Sequence, residues 1–339
     1  MTQTVLVTGG SGFVAGWCTV ELLKRGYRVR TTLRDLSREA GIRSAIAAAA
    51  GDTGNLSFVT ADLLADAGWD IAVQGCDYVL HVASPLGGGT PGDRLSLVEP
   101  ARAGTLRVLR AAVEADVKRV VMTSAAATAR PPLSSDRISD ETIWADPDDP
   151  QFDAYRVSKI LAERAAWDFM KERGATDRLT TVLPGAVFGP ILSKETIGSV
   201  KIIQDLLQGR PRAMPQLGFW VVDVRDLADL HVKAMIAPGA AGERFIAAGE
   251  FMWMEDIARA LRSGLGSPGL KTPTRRLPTM IVKLLLPFLP NLKGLAPLIG
   301  RKFRLTSEKA RRQLGFAPRP GAATVVDCAQ SLLAGSVSR

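Results

Sequence analysis

A short apolar run, VLVT at residues 5–8, leads directly into Gly9-Gly10-Ser11-Gly12-Phe13-Val14-Ala15 and then into an amphipathic stretch ending at Arg25 and Gly26. The order is strand, glycine loop, helix. The spacing Gly10-x-Gly12-x-x-Ala15 constrains the fold more than any other feature of the chain. Gly10 and Gly12 permit a tight turn and let backbone N–H groups approach a ligand closely. Ala15 is small enough for the helix to pack tightly on the strand. The helix N-terminus adds the positive end of its dipole, so the loop suits a pyrophosphate. The expectation is a dinucleotide site with Gly9, Gly10, Ser11, Gly12, Phe13 and Val14 around the phosphates.

The rest of the chain repeats the alternation. YRVRTTLR, LSFVTADL, YVLHVAS, VKRVVMTS and LTTVLPGAVFG read as strands, with helical stretches at 95–115 and 155–173 among them. Short β-rich runs separated by helices imply a parallel sheet covered on both faces. FWVVDVRD and RFIAAG read as two further strands. Residues 264–305, rich in Pro, Gly, Lys and Arg, read as an irregular or partly helical cap.

Composition narrows the chemistry. Three cysteines, far apart and without a CxxC, argue against a disulfide framework or a thiolate zinc site. Two histidines, His81 and His231, are too few for a histidine-rich metal site. The net charge is +9, and residues 271–312 hold eleven Lys and Arg against one acid, Glu308. This stretch therefore carries the basicity of the whole chain. Without a nucleic-acid motif beside it, it reads as a solvated basic face. The most apolar later segment, LPTMIVKLLLPFLP at 277–290, contains Lys283 and falls short of the ~20 apolar residues of a membrane span. The first apolar run is too short for a signal peptide. These features suggest a cytoplasmic protein without a membrane span.

The second strand ends at Arg34, followed by Asp35. An NAD site usually places an acid about 20 residues after the loop, for the ribose 2′-hydroxyl. An arginine can instead hold a 2′-phosphate through its planar donors. NADP(H) is therefore expected, with Arg34 as the discriminating residue and Ser37 and Arg38 as possible helpers.

Tyr155-Arg-Val-Ser-Lys159 opens a long helical run. A spacing of four puts Tyr155 and Lys159 on one helix face. A free phenol, with a pKa near 10, exchanges protons poorly at neutral pH. An adjacent ammonium would lower that value, and a tuned tyrosine could protonate a carbonyl oxygen as hydride reaches its carbon.

Together, TGGSGFVAGW, TLRD, ADL at 61–63, HVASP at 81–85, VVMTS at 120–124, YRVSK, LPGAVFGP at 183–190, VDVRDLADLH at 222–231 and ERFIAAG at 243–249 resemble the extended short-chain dehydrogenase/reductases, in particular the dihydroflavonol reductase-like and aldehyde reductase group. The resemblance spans nearly the whole chain. It implies that Asp62 and Leu63 lie by the adenine and that Ala83 and Ser84 line the cofactor cleft. Lys159 would also bind the nicotinamide ribose, and Pro184 and Val187 would flank the nicotinamide. It implies structural roles for VDVRD, His81 and His231. In one place the chain departs from the group. The strand before the site commonly reads T-S-S there, with the second serine bonding the substrate oxygen, whereas this chain reads Thr123-Ser124-Ala125. Ser124 is the candidate replacement hydroxyl, with Thr123 and Thr128 as alternatives.

The expected fold is a doubly wound parallel Rossmann sheet with a smaller C-terminal substrate domain. Residues 1–190, with 219–249 returning, would form the first part; 191–218 and 250–339 would form the second. The expected activity is NADPH-dependent reduction of a small-molecule aldehyde or ketone, with Tyr155, Lys159 and Ser124 as the catalytic set, no metal and no nucleic-acid partner, in a monomer or homodimer. The alternatives are a nucleotide-sugar epimerase/dehydratase and an NADP-binding sensor without turnover.

Overall fold

The computed structural model describes residues 2–85, 93, 95–193, 198–285 and 296–337. The strands are β1 (Thr4–Val7), β2 (Arg28–Leu33), β3 (Leu56–Thr60), β4 (Tyr78–His81), β5 (Arg119–Thr123), β6 (Leu179–Pro184), β7 (Ala186–Phe188), β8 (Gly218–Asp223), β9 (Arg244–Ala247) and β10 (Phe251–Trp253). The helices are α1 (Phe13–Lys24), α2 (Glu39–Ala50), α3 (Trp69–Val73), α4 (Val98–Glu114), α5 (Ala154–Glu172), α6 (Val200–Leu207), α7 (Val224–Ile236), α8 (Met254–Leu265), α9 (Thr279–Leu285), α10 (Glu308–Leu314) and α11 (Gly321–Val337).

Seven strands form one parallel sheet in the order β3-β2-β1-β4-β5-β6-β9. Strand side chains alternate between faces, and each face here has its own core. Val5, Val7, Leu80, Val121 and Val182 pack with residues of α1, α2 and α7. Leu6, Val79, Val120, Met122 and Leu179 pack on the opposite face with α3, α4 and α5. Both faces being covered explains why these strands read as continuous apolar runs. The result is the doubly wound Rossmann-like arrangement. The strand order reverses between β1 and β4, the switch point at whose carboxyl ends such sheets bind ligands.

A second sheet, β10-β8-β7, has its own hydrophobic core with α6, α8 and α11, built on Phe188, Ile203, Leu206, Val221, Met252, Ile257, Leu261 and Cys328. Two stretches that read as single strands in the sequence are divided here. LTTVLPGAVFG breaks at Gly185, so β6 stays in the large sheet while β7 joins the small one. A Cβ on Gly185 would lie 2.2 Å from the Trp220 carbonyl oxygen, so glycine permits the close crossing of β8. FWVVDVRD ends as a strand at Asp223, whose carboxylate accepts the Arg225 N–H at 2.9 Å and caps α7. Segment 219–249 is therefore shared: β8 lies in the small sheet, whereas α7 packs on the large sheet and β9 pairs with β6. Arg225 also binds Asp327 of α11 at 2.6 Å, tying the two cores together.

In the basic stretch, Arg276 pairs with Glu255 at 3.1 Å and Lys309 with Glu243 at 2.5 Å, so acids from elsewhere in the chain offset part of its charge. Of the apolar segment 277–290, residues 279–285 form α9, while 286–290 lie outside the described residues. Among the described residues, no helix is long and apolar enough to cross a membrane.

Candidate active site

The glycine loop is held from two sides. The Gly9 N–H donates to Thr32 Oγ1 at 2.9 Å and the Gly10 N–H to the Thr32 carbonyl at 2.9 Å. Gly9 has φ +77°, and a Cβ on Gly10 would lie 2.4 Å from Thr31 Oγ1. Thr8, at the end of β1, accepts the N–H groups of Val82 and Ala83 on its hydroxyl at 3.0 and 2.9 Å. This pulls the loop after β4 against the loop after β1. Helix α1 starts at Phe13 with Gly12 as its cap residue and no side-chain cap, so its first N–H groups, including those of Phe13 and Val14, have no partner within the helix. Ser11 is exposed beside them. This cradle fits a pyrophosphate.

Arg34 stands exposed just after β2 and forms no ion pair among the described residues. Asp35 is occupied locally. Its carboxylate accepts the Ser37 N–H at 2.9 Å and the Ser37 hydroxyl at 2.7 Å, and the hydroxyl bond is the main cause holding it below the usual carboxylate range. Ser37 is thereby tied into its own turn. An acid committed to that turn and an uncommitted arginine favour a 2′-phosphate over a free 2′-hydroxyl. Arg34→Ala is expected to weaken NADPH binding by about 10- to 100-fold, one charge-assisted contact of ~1.5–3 kcal/mol, and NADH binding far less. Equal losses in parallel fluorescence titrations would contradict the assignment. Farther along the carboxyl edge, Asp62 and Leu63 follow β3, and the Asp62 carboxylate accepts the Leu64 N–H at 3.0 Å. Ala83 and Ser84 follow β4; Pro184 ends β6, and Val187 lies in β7.

Asp153 caps α5 by accepting the Arg156 N–H at 2.9 Å, and this fixes the helix that carries the tyrosine. Tyr155 is 38% exposed at its first turn, while Lys159, one turn on, is buried. Lys159 Nζ donates to the Thr123 carbonyl at the end of β5, 3.2 Å away. Burial lowers the Lys159 ammonium to about 8, against the opposing pull of Glu163. The Tyr155 phenol is raised, chiefly by loss of water around it, with Arg156 lowering it and Asp153 raising it. The expected lowering by Lys159 is therefore not what the structure displays. The lysine is anchored to the strand, and the cation that lowers the phenol is Arg156.

The three candidate hydroxyls are all engaged. Ser124 Oγ donates to the buried Glu163 carboxylate at 2.6 Å, on the interior side of the strand. This commitment gives the Ser124 proton to a full negative charge and so weighs against the expectation that Ser124 bonds the substrate oxygen. His231 Nδ1 lies 2.7 Å from the Leu227 carbonyl, which can only accept; Nδ1 therefore carries the proton and Nε2 accepts from Thr123 Oγ1 at 2.7 Å. Thr128 Oγ1 donates to the Ala125 carbonyl at 2.9 Å and accepts from Arg244 at 3.1 Å. Ser124→Ala is expected to cost ~1–3 kcal/mol of stability and to leave kcat largely unchanged. A large fall in kcat at unaltered stability, measured by denaturation and turnover together, would return Ser124 to the chemistry.

His81 and His231 are fully buried, and burial lowers them to about 3 and about 4, so both are neutral and structural. Two important residues were not singled out from the sequence. Glu163 accepts from Ser124, from Thr181 at 2.8 Å and from Arg244 at 2.9 Å. Arg244 also donates to the Glu141 and Ile143 carbonyls and lies 3.8 Å from the Trp144 ring centroid. Glu163 lies one turn beyond Lys159 on the same helix face, a spacing visible in the sequence. The position of Arg244 had no such local signal.

A parallel sheet with a glycine cradle at its switch point, an arginine after the second strand and a Tyr–Lys pair at the cleft defines a nicotinamide dinucleotide enzyme of the Rossmann class. The model of the NAD dependent epimerase/dehydratase family matches residues 5–248, and the chain belongs to that family. It is 36% identical over 265 residues to cinnamoyl-CoA reductase 1 of Petunia hybrida, covering 76% of each chain. It is 34% identical over 284 residues to the ketoreductase azaE of Aspergillus niger, covering 78% of this chain and 82% of that one. Among solved structures, the yeast methylglyoxal/isovaleraldehyde reductase Gre2 complexed with NADPH superposes with a TM-score of 0.80 at 25% identity, over 99% of this chain and 100% of that one. The family binds NAD(P), and the Gre2 structure is a complex with NADPH.

Proposed function

We propose that this oxidoreductase reduces an aldehyde or ketone to the alcohol with NADPH, Tyr155 supplying the proton. The observation that carries the reading is the placement of Tyr155 and Lys159 one turn apart on α5, with Tyr155 exposed as a residue and the ammonium anchored to the end of β5. When bound, NADPH supplies the hydride that reaches the carbonyl carbon. Tyr155, kept protonated by its surroundings, gives its proton to the carbonyl oxygen. Lys159 holds the nicotinamide ribose and keeps a positive charge behind the developing alkoxide. Arg34 holds the 2′-phosphate, and Asp62 and Leu63 receive the adenine. Ala83, Ser84, Pro184 and Val187 line the cleft where the nicotinamide lies. Ser124 supports this arrangement through Glu163 and does not touch the substrate. The described residues within 191–218 and 250–339 supply the substrate-binding part.

Reductases among the relatives at 34% and 36% identity support this reading over the nucleotide-sugar one. The intact Tyr–Lys pair supports turnover over a sensor. Three free, buried cysteines suit a reducing compartment and support a cytoplasmic setting. The test is NADPH consumption by the purified protein against aromatic and aliphatic aldehydes, ketones and steroids, with NADH in parallel. Consumption is expected with NADPH. Binding of NADPH without consumption of any carbonyl would overturn the proposal.

A further inference from the structure

The chain leaves β5 through Ala125 and a single tight turn, Ala126–Ala129, and arrives at Arg130. The Arg130 guanidinium lies 4.5 Å from the Phe303 ring centroid and 5.9 Å from that of Phe152. Phe152 is three residues before Tyr155. Phe303 belongs to the C-terminal part, and its carbonyl accepts the Trp220 indole N–H at 2.8 Å. The guanidinium thus lies between the lead-in to the catalytic helix and the proposed substrate-binding part. The charges of Arg156 and Asp153 act on both Tyr155 and Arg130.

Arg130 forms no ion pair among the described residues, and its Nη1 is shut off from solvent without a hydrogen-bond partner. The surrounding acids are engaged elsewhere. Asp153 caps α5 and pairs with Arg156 at 2.5 Å, and Asp149 accepts from Gln151 N and Nε2 at 2.9 and 2.8 Å. Burial first, and then Arg156, pull Arg130 down to about 9 against the opposing pull of those two acids. An unpaired cation in such a place is costly, and chains keep costly polar groups where a ligand completes them. The residue as a whole remains partly exposed, so a ligand can reach it.

We propose that Arg130 receives a carboxylate of the carbonyl substrate, so that the preferred substrates are oxo acids. This rests on the reductase reading above. A guanidinium with no ion pair among the described residues balances one negative charge, and its Nε and Nη2 edge can present two parallel hydrogen bonds to a carboxylate. The two phenyl rings beside it exclude water and strengthen the pair.

The test uses the full chain with NADPH and three probe acids, benzoylformate, 3-benzoylpropionate and 4-formylbenzoate, each against its methyl ester. In the wild type at least one acid should exceed its ester in kcat/KM by about tenfold or more, the loss expected from one charge-assisted bond. Arg130→Met should bring that ratio close to one, and Arg130→Lys should keep part of it. Benzoate titrated against the NADP+ complex should bind more weakly in Arg130→Met by a similar factor. The melting temperature of Arg130→Met should equal or exceed that of the wild type, because an unpaired buried charge is removed. A several-degree fall would make Arg130 structural and overturn the proposal. An acid/ester ratio that is unaltered by Arg130→Met, or near one already in the wild type, would also overturn it. Inorganic phosphate competing more strongly than benzoate would replace the carboxylate with a phosphate ester. Arg130-dependent benzoate binding without reduction of any probe would leave this site standing and overturn the reductase reading instead.

Discussion

Tyr155→Phe is expected to lower kcat for carbonyl reduction by about 10²- to 10⁴-fold, the span attributed to one positioned general acid. NADPH affinity should change little, since the ring stays in place and only the hydroxyl is lost. The pH dependence separates the two partners. The phenol is raised above its ordinary value, so it remains protonated through the neutral range. The Lys159 ammonium, lowered to about 8 by burial, loses its charge first as pH rises. Activity should therefore decline above pH 8, and a Lys159→Arg variant with any residual turnover should lack that decline, because arginine stays charged. Turnover by Tyr155→Phe at the wild-type rate would remove the tyrosine from the mechanism.

The largest expected stability effect lies behind the site. Glu163→Ala should destabilise the protein by about 3–5 kcal/mol at pH 7, measured by denaturant titration, because it leaves Arg244 buried without its counter-charge. Glu163 is fully buried and Arg244 is 6% exposed, so water cannot compensate. The double variant Glu163→Leu/Arg244→Met should recover most of the loss, since a buried ion pair replaced by apolar groups is often neutral. Burial pushes Glu163 up, but the Arg244 charge and the hydrogen bonds from Arg244 and Ser124 outweigh it and hold the carboxyl below the usual range. A lowered folded pKa stabilises the protein above the unfolded value, ~4.3, and that contribution is lost as pH falls through the folded value. The gap between wild type and Glu163→Ala should therefore narrow below about pH 4. A gap that stays constant down to pH 3 would mean that Glu163 does not carry the charge assigned to it.

Much of this architecture can be read residue by residue. The cradle was visible because glycine conformations, a small residue and a helix start are consecutive in the chain, so sequence spacing is also spatial spacing. The Tyr155–Lys159 face was visible because helical periodicity is local. The runs of the parallel strands were visible because both faces are buried and both must be apolar. The break at Gly185 was not visible, because its cause is the Trp220 backbone, distant in sequence. The commitment of Ser124 was not visible either, because Glu163 and Arg244 come from other elements and meet only when α5 and β9 close around β6.

The sequence by itself determined a dinucleotide cradle at the head of a parallel α/β sheet, an arginine after the second strand and a tyrosine one helical turn before a lysine. These follow from short-range geometry, which sequence spacing records. Only the tertiary structure decided how the candidate hydroxyls are engaged, where Lys159 is anchored and that Arg130 forms no ion pair among the described residues. Each of these depends on which group from a remote segment arrives within hydrogen-bonding distance, and burial then sets how much a met or unmet charge matters.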